Sequence, residues 1–322
     1  MLFASSAKPI ISLKISVIIC TYNPRLQYLE QVLLALRNQT LVNTEWELLI
    51  IDNKSSNQFT QELDLSWHAN AKVMREEQAG LAHARLKGFK NSIAELIVFV
   101  DDDNVLADNY LELSWDFYLS NPQVGCFGGK SVAVFETTPP AWFWKTGISL
   151  GCKDDGDEIY ISDYRSDNYK LQNYPDKAPI GTGMVITKKA FKAYYLEVLN
   201  NADRLALGRK GKALTSGEDN DIVLTIIKNY FEIAYIPKLV VKHLIPTNRI
   251  STAYLKQMAY ESNKSWITLL RHHGICPFKT IPQWTVRLRK VKAWFKYKVW
   301  QSPVNIIKWH GACGTFESLA DG

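Results

Sequence analysis

Between Ser262 and Phe316 the chain has no acidic residue, against ten lysines and arginines. The net charge of the whole is only +6, so this stretch carries more than the entire positive excess and the first 245 residues are near neutral or acidic. Cysteine is sparse as well. The five (Cys20, Cys126, Cys152, Cys276, Cys313) are scattered, odd in number and without a C-x-x-C pair, which argues against a disulfide framework or a zinc site. Cys20 reads as a small hydrophobe in a strand. No apolar run approaches the roughly 18–20 residues that span a bilayer. The N-terminus (MLFASSAKPIISLKISVIIC) lacks a basic region followed by a clean apolar stretch and cleavage site, and the resulting expectation is a cytoplasmic protein. No G-x-G-x-x-G follows the first apolar run and no G-x-x-x-x-G-K-[ST] occurs, which weighs against a dehydrogenase-type dinucleotide fold and a P-loop.

At 322 residues and 47% hydrophobic, the chain can bury one large core, or one core plus an appendage. "KISVIIC" (Lys14–Cys20) and "ELLIID" (Glu47–Asp52) have the composition of strands buried on both faces. Between them Leu29, Val32, Leu33 and Leu36 repeat at helical spacing within Leu26–Asn38, completing a βαβ unit. A short strand at Lys72–Arg75, a helix at Gly80–Asn91 and a strand at Leu96–Val100 continue the pattern. The expected fold is α/β, with an open, mostly parallel sheet flanked by helices. Ligands of such sheets bind beyond the C-terminal strand ends. Three strands end in residues suited to that place: Thr21-Tyr22-Asn23, Asp52-Asn53 and Asp101-Asp102-Asp103.

The aspartate triplet admits two readings. Adjacent carboxylates repel, and a strand end leaving the core adds a desolvation cost. A divalent cation such as Mn2+ or Mg2+, which takes oxygen ligands and keeps positions open for phosphates, would oppose both. The other reading is a solvated acidic turn capping a helix that starts near Ala107.

Taken together, "ISVIICTYNP", "LLIIDNKSS", "EEQAGLAHARLKGF", "IVFVDDDN", "GTGMVI" and "SGEDNDIVLTI", in this order, resemble the signature of family 2 glycosyltransferases of the GT-A fold, over residues 14 to 245. The resemblance implies a catalytic domain at 1–245 and a metal-dependent inverting transfer from a nucleotide-diphospho-sugar, UDP-sugar foremost, to a hydroxyl of a saccharide or lipid-linked saccharide. Cell-surface polysaccharide biosynthesis is the implied setting. Such a transfer needs a leaving diphosphate stabilised by charge, an acceptor activated by a base, and both held in line.

The resemblance assigns roles residue by residue. Asp101 and Asp103 fit D-x-D, with Asp103 the metal ligand and Asp102 facing the nucleotide ribose or solvent. Asp52 matches an aspartate that recognises the base; an Asx-turn with Ser55 or Ser56 is the other reading. Thr21, Tyr22 and Asn23 would line the base pocket, with Pro24 starting the next helix. Arg85 approaches the donor or is a surface helix arginine, and His83 reads as a surface residue. Gly181, Thr182 and Gly183 precede a strand at Met184–Thr187 and either bring backbone N–H groups to the ligand or make a tight turn. In "GEDND", Asp219 aligns with the general base and Glu218 with an acceptor-orienting residue, on a helix from Glu218 to Tyr230 capped by Ser216 or Gly217. Asp221 caps or pairs structurally, since acidic residues in a first turn are favoured by the helix dipole alone. His243, placed after a strand pair, would complete the metal site.

The segment from Glu136 to Pro179 reads as an insertion shaping the acceptor pocket, with Trp142, Phe143 and Trp144 either stacking on sugars or packing in the core. Its "DDGDE" lacks calcium-loop spacing and reads as a charged turn. The extension at 246–322 interleaves cations with Trp284, Trp294, Phe295, Trp300 and Trp309. Residues 278–310 have the composition of a helix at an anionic membrane surface, at the inner face of the cell membrane; a helical layer packed on the catalytic domain is the alternative. Two other classes compete: a sugar-phosphate nucleotidyltransferase, whose glycine-rich N-terminal loop is missing here, and a basic single-stranded nucleic-acid binder, which leaves the acidic strand edge without purpose. No nucleic acid is expected as a partner.

Overall fold

The computed structural model describes residues 13–164, 171–211 and 213–321, so residues 165–170 of the insertion and the first twelve residues fall outside the description. Strands β1 (Ile15–Thr21), β2 (Trp46–Asp52), β3 (Ala71–Arg75) and β4 (Leu96–Asp101) form a parallel sheet in the order β3-β2-β1-β4. Every residue of β1 and β2 is buried, as continuous Val/Ile/Leu runs covered on both faces should be. Helices α1 (Leu26–Arg37) and α2 (Leu81–Asn91) make the parallel crossovers. Leu29, Val32, Leu33 and Leu36 turn inward from α1 with Ile15, Val17, Trp46 and Leu48, while Ile18, Leu49 and Phe99 face the opposite core. Helix α1 starts at Leu26 after Arg25, so Pro24 lies just outside it.

β5 (Asn104–Leu106) intervenes before α3, so the helix expected near Ala107 begins at Tyr110 and ends at Ser120. The acidic triplet therefore turns the chain into a second strand and caps no helix. Beyond β4 the sheet continues with β8 (Val185–Thr187), β6 (Val124–Phe135), β9 (Glu232–Ile245) and β5, and β7 (Tyr160–Ile161) pairs with β9. β6 runs parallel to β9; β8, β5 and β7 run antiparallel to their partners. A register shift between Gly128 and Lys130 bends the β6–β9 pair.

Helices α4 (Lys188–Val198), α5 (Ala202–Leu205) and α6 (Glu218–Lys228) cover the second core. α6 ends at Lys228, two residues before the end of its sequence pattern, with Asn229 as the C-cap. Past the sheet, α7 (Thr252–His272), α8 (Thr285–Lys296) and α9 (Pro303–Ala320) form a helical layer. Leu255 of α7 and Ile307 of α9 share a core with Phe143, Leu150 and Ile245, and Leu269 and Leu270 of α7 pack on Leu207 and Leu224. The extension is thus joined to the sheet domain by packing. Phe143 is buried in that layer while Trp144 is exposed, edge-on to Phe135 and Phe143. No helix among the described residues is long and apolar enough to cross a membrane.

Candidate active site

Register sets the site. Thr21 pairs with Asp52, and Cys20 with Asp101, so three parallel strands release their last polar residues in one row. The following loops are tied together: Asn23, in a left-handed conformation that asparagine tolerates, accepts from the Ser56 amide at 2.9 Å and donates its own amide to Ser55 Oγ at 2.8 Å. Tyr22 stays half exposed. Asp52 makes the Asx-turn, accepting the Ser55 amide at 2.9 Å, and also pairs with Arg75 Nη1 at 2.6 Å. In the sequence Arg75 reads only as the end of a strand, with no site role, although it sits directly opposite Asp52. Its own side chain remains nearly half exposed, so a ligand can reach the pair from outside.

The three aspartates have three environments. Asp103 is buried. Burial raises its carboxyl, but His243 and Arg249 outweigh that and bring it down to about 2. Asp102, half-buried, accepts a hydrogen bond from Thr21 Oγ1 on one oxygen, and burial together with Asp103 lifts it to about 7. Asp101, still about a third exposed, lies 4.0 Å from Arg85 Nη2.

Arg85 is no surface residue. Its side chain is 4% exposed, its guanidinium stands over the Phe99 ring, and Glu218 Oε1 is 3.5 Å from Nη1. Burial opposes the charge, yet Glu218 and Asp101 hold Arg85 above its ordinary value. Helical spacing hid this, because the carboxylate that pairs with Arg85 comes from α6, more than 130 residues downstream. Glu218 is itself buried, and neither carboxylate oxygen has a hydrogen bond among the described residues. Its carboxyl is pushed up to about 7, first by burial, with Arg85 opposing and Asp219 and Asp101 adding to the rise.

Gly181 joins these groups to Asp219. Its amide donates to Asp219 Oδ2 at 3.0 Å, and a Cβ there would stand 3.2 Å from Arg85 Nη2 and 3.3 Å from Asp219 Oδ2. Any larger residue there would make these two side chains give by a few tenths of an ångström. Gly183 has φ +71°, and a Cβ would meet Val241 at 2.6 Å and Tyr110 Oη at 2.8 Å; the strand that follows starts at Val185. Thr182 donates to the Gly151 carbonyl at 3.2 Å, which ties this turn to the insertion. Asp219 is half-buried and Glu218 fully so, and Asp219 Oδ1 accepts the Asn220 amide at 3.0 Å. Asp221 is turned the other way, entirely buried against Arg204 Nε (2.8 Å) and His273 Nε2 (2.6 Å). Gly217 is the N-cap residue of α6.

His243 lies within β9, two residues before its end, where the sequence placed it after a strand pair. Pairing of β5 with β9 sets Asn104 opposite His243, which brings Nε2 to 3.4 Å from Asp103 Oδ1. Arg249, from the short 3-10 turn after β9, reaches both: Nη2 is 2.9 Å from Asp103 Oδ2 and Nη1 3.2 Å from His243 Nε2. Burial opposes protonation of His243, but the hydrogen bond with Asp103 outweighs it and raises the imidazole to about 9. Sequence reading missed Arg249, whose only signal was a cation six residues past a candidate ligand. Among the described residues no three His, Cys, Asp or Glu side chains gather to hold a metal. Asp103 and His243 offer a carboxylate oxygen and, once the imidazole gives up its proton, a ring nitrogen, a pair that a borderline divalent cation would take together with phosphate oxygens and water. Arg249 adds positive charge beside Asp103. Two lysines offset part of the charge of the "DDGDE" loop: Lys130 pairs with Asp154 and Asp157, and Lys153 with Asp155.

Residues 16–195 match the family model for glycosyl transferase family 2. Among curated proteins the chain is similar to TuaG of Bacillus subtilis (strain 168), a glycosyltransferase named for teichuronic acid biosynthesis, with 25% identity over 197 residues (56% of this chain, 74% of TuaG). It is also similar to TarP of Staphylococcus aureus (strain N315), a poly(ribitol-phosphate) β-N-acetylglucosaminyltransferase. That match has 30% identity over 135 residues and covers 38% of this chain and 41% of TarP, less than half of that relative. Among solved structures, S. aureus TarS 1–349 in complex with UDP superposes with a TM-score of 0.52 at 16% identity, covering 96% of this chain and 90% of that one. The same fragment with UDP-GlcNAc gives 0.53 at 15% identity, covering 96% and 91%.

Proposed function

Since this chain belongs to glycosyl transferase family 2 and carries the GT-A fold of a glycosyltransferase, we propose that it moves a sugar, with inversion, from a UDP-sugar to a hydroxyl of a saccharide or lipid-linked saccharide. The setting we infer is cell-surface polysaccharide biosynthesis, on the cytoplasmic side of the membrane. One observation carries the reading: a row of strand-end residues suited to a nucleotide lies across Arg85 and Gly181 from a half-buried carboxylate, Asp219. Support for the donor comes from TarS, crystallised with UDP and with UDP-GlcNAc. Support for the setting comes from the names of TuaG and TarP.

In this reading the Asp52–Arg75 pair and the Thr21-Tyr22-Asn23 loop hold the nucleotide. Asp52 offers an acceptor to a base N–H, and half-exposed Tyr22 offers a ring face. Asp103 and His243 would hold Mn2+ or Mg2+, which supplies Lewis acidity to a departing diphosphate. Arg249, already on Asp103, adds positive charge beside that diphosphate. Asp219 takes the acceptor's proton as the hydroxyl oxygen bonds to the anomeric carbon and the bond to the diphosphate breaks. The amide of Gly181 fixes the Asp219 carboxylate, and Arg85 with Glu218 sets the floor beneath it.

Slow hydrolysis of the donor needs no acceptor, so a screen of UDP-, GDP- and dTDP-sugars with Mn2+ tests the proposal. Release of UDP above background, and not of GDP or dTDP, is expected. Turnover of none of them, together with no thermal stabilisation by UDP and Mn2+, would overturn it.

A further inference from the structure

The helical extension leaves one face open. α8 is seated on α9 through buried Val286 and Ala293, the Trp309 indole donates to the Lys290 carbonyl at 2.9 Å, and Lys290 pairs with Glu317. Residues 286, 290, 293 and 297 thus mark the inner face. At about 100° per residue, Trp284, Leu288, Val291 and Phe295 fall in a stripe on the opposite side. These four are between 57% and 74% exposed, and Trp300 extends the stripe beyond the helix end, its ring 4.8 Å from that of Trp294. Large apolar side chains in line on one helix face are not the scattered exposure found on ordinary surfaces.

Cations border the stripe on both sides. Arg287 lies along one edge and Lys292 and Lys296 along the other, Lys298 follows just past the helix end, and all four are exposed. None of them forms an ion pair with a carboxylate among the described residues. The order of groups across the face, cation then apolar stripe then cation, selects the occupant. Single-stranded nucleic acid would need cations tracking a backbone and rings free to stack, whereas Leu288 and Val291 occupy the centre here and have no ring. A two-fold copy of the chain would set these cation edges against cation edges, since residues 262–316 contain no acid. A layer that accepts apolar side chains between anionic groups matches all three bands.

We propose that the outer face of α8, with Trp284, Leu288, Val291, Phe295 and Trp300 inserted and Arg287, Lys292, Lys296 and Lys298 around them, is a docking surface for an anionic lipid bilayer. The helix lies flat, and the rest of the layer holds it rigid against the catalytic domain. The surface is independent of which sugar or acceptor the enzyme uses, so its failure would leave the transfer reading standing.

Co-sedimentation of the full chain with vesicles of phosphatidylcholine, with and without about one third phosphatidylglycerol, tests the surface. The wild type is expected to pellet with the anionic vesicles at low salt, to be released by high salt, and to show a blue-shifted tryptophan emission on binding. Leu288→Ser/Val291→Ser/Phe295→Ser, changed only at exposed positions, should lower the partition at least about tenfold with an unaltered melting temperature. Arg287→Gln/Lys292→Gln/Lys296→Gln should do the same to anionic vesicles. Equal partition of either variant and the wild type overturns the proposal. So does binding to neutral vesicles as strong as to anionic ones, binding of an oligonucleotide without vesicle binding, or a wild-type dimer that the serine variant dissolves without any vesicle binding.

Discussion

Two neighbouring carboxylates in the same first turn of α6 have opposite surroundings. Asp221 is fully buried, and its oxygens take charged hydrogen bonds from Arg204 and His273, with Arg204 held further by Glu197 and Thr225. Glu218, three residues earlier and almost as buried, has among the described residues no hydrogen bond to either oxygen and only a 3.5 Å ion pair with Arg85. A carboxylate that holds α6 to α5 and to the end of α7 is satisfied from several sides. One that faces the proposed reaction centre is left short of partners, as groups with displaced proton affinity at functional sites often are. Asp219 lies between them, its Oδ2 held by the Gly181 amide and its Oδ1 by the Asn220 amide, and it stays only half-buried.

The comparison breaks most sharply at Asp219. Asp219→Asn keeps the shape but cannot accept a proton, and sugar transfer should fall by about 10²–10⁴-fold while UDP affinity stays near wild type. Measured with a competent acceptor, a near wild-type rate would remove Asp219 from its role. Asp221→Ala should act on stability. Stranding Arg204 and His273 in the core is expected to cost about 3–5 kcal/mol in a denaturant titration, with the rate per folded molecule preserved. A loss of rate without loss of stability would reverse the contrast.

The third effect is smaller and appears in pH dependence. The Glu218 carboxyl goes from an ordinary value of 4.5 to about 7 in the fold. Its stability contribution is thus complete below 4.5 and is lost as pH rises to about 7, where a buried carboxylate must carry charge. Glu218→Gln abolishes that titration. Its melting temperature relative to wild type should climb between pH 4.5 and 7 and level off above. Parallel curves across that range would show that Glu218 does not titrate there.

How much of this was legible in the sequence depended on the range of the interaction. Continuous apolar runs gave β1, β2 and β4, because strands buried on both faces need nothing else. Their polar ends marked the site edge for the same reason. The helix expected near Ala107 starts later because β5, three residues long, is stabilised by pairing with β9, over 130 residues away, and has no periodicity of its own. Arg249 and Arg75 carried no site role for a similar cause, and for Arg85 a surface position stayed open beside the donor one. An arginine in a site looks like a surface one until its anion is placed, and Glu218, Asp103 and Asp52 arrive from other elements. In the extension, alternating aromatics and cations suited both readings; the structure separates them by face, with Val286 and Ala293 inward and Leu288 and Phe295 outward.

Asp103, His243 and Arg249 form the most direct test of the central claim that this strand edge holds a nucleotide diphosphate with a divalent cation. Calorimetric titration of UDP into wild type and Asp103→Ala, each with and without Mn2+, separates the contributions. In the wild type Mn2+ should tighten UDP binding about tenfold or more. In Asp103→Ala that enhancement should vanish, leaving weaker, metal-insensitive binding through the Asp52 side and the remaining cations. The same Mn2+ enhancement in both proteins, or none in the wild type, would contradict the account.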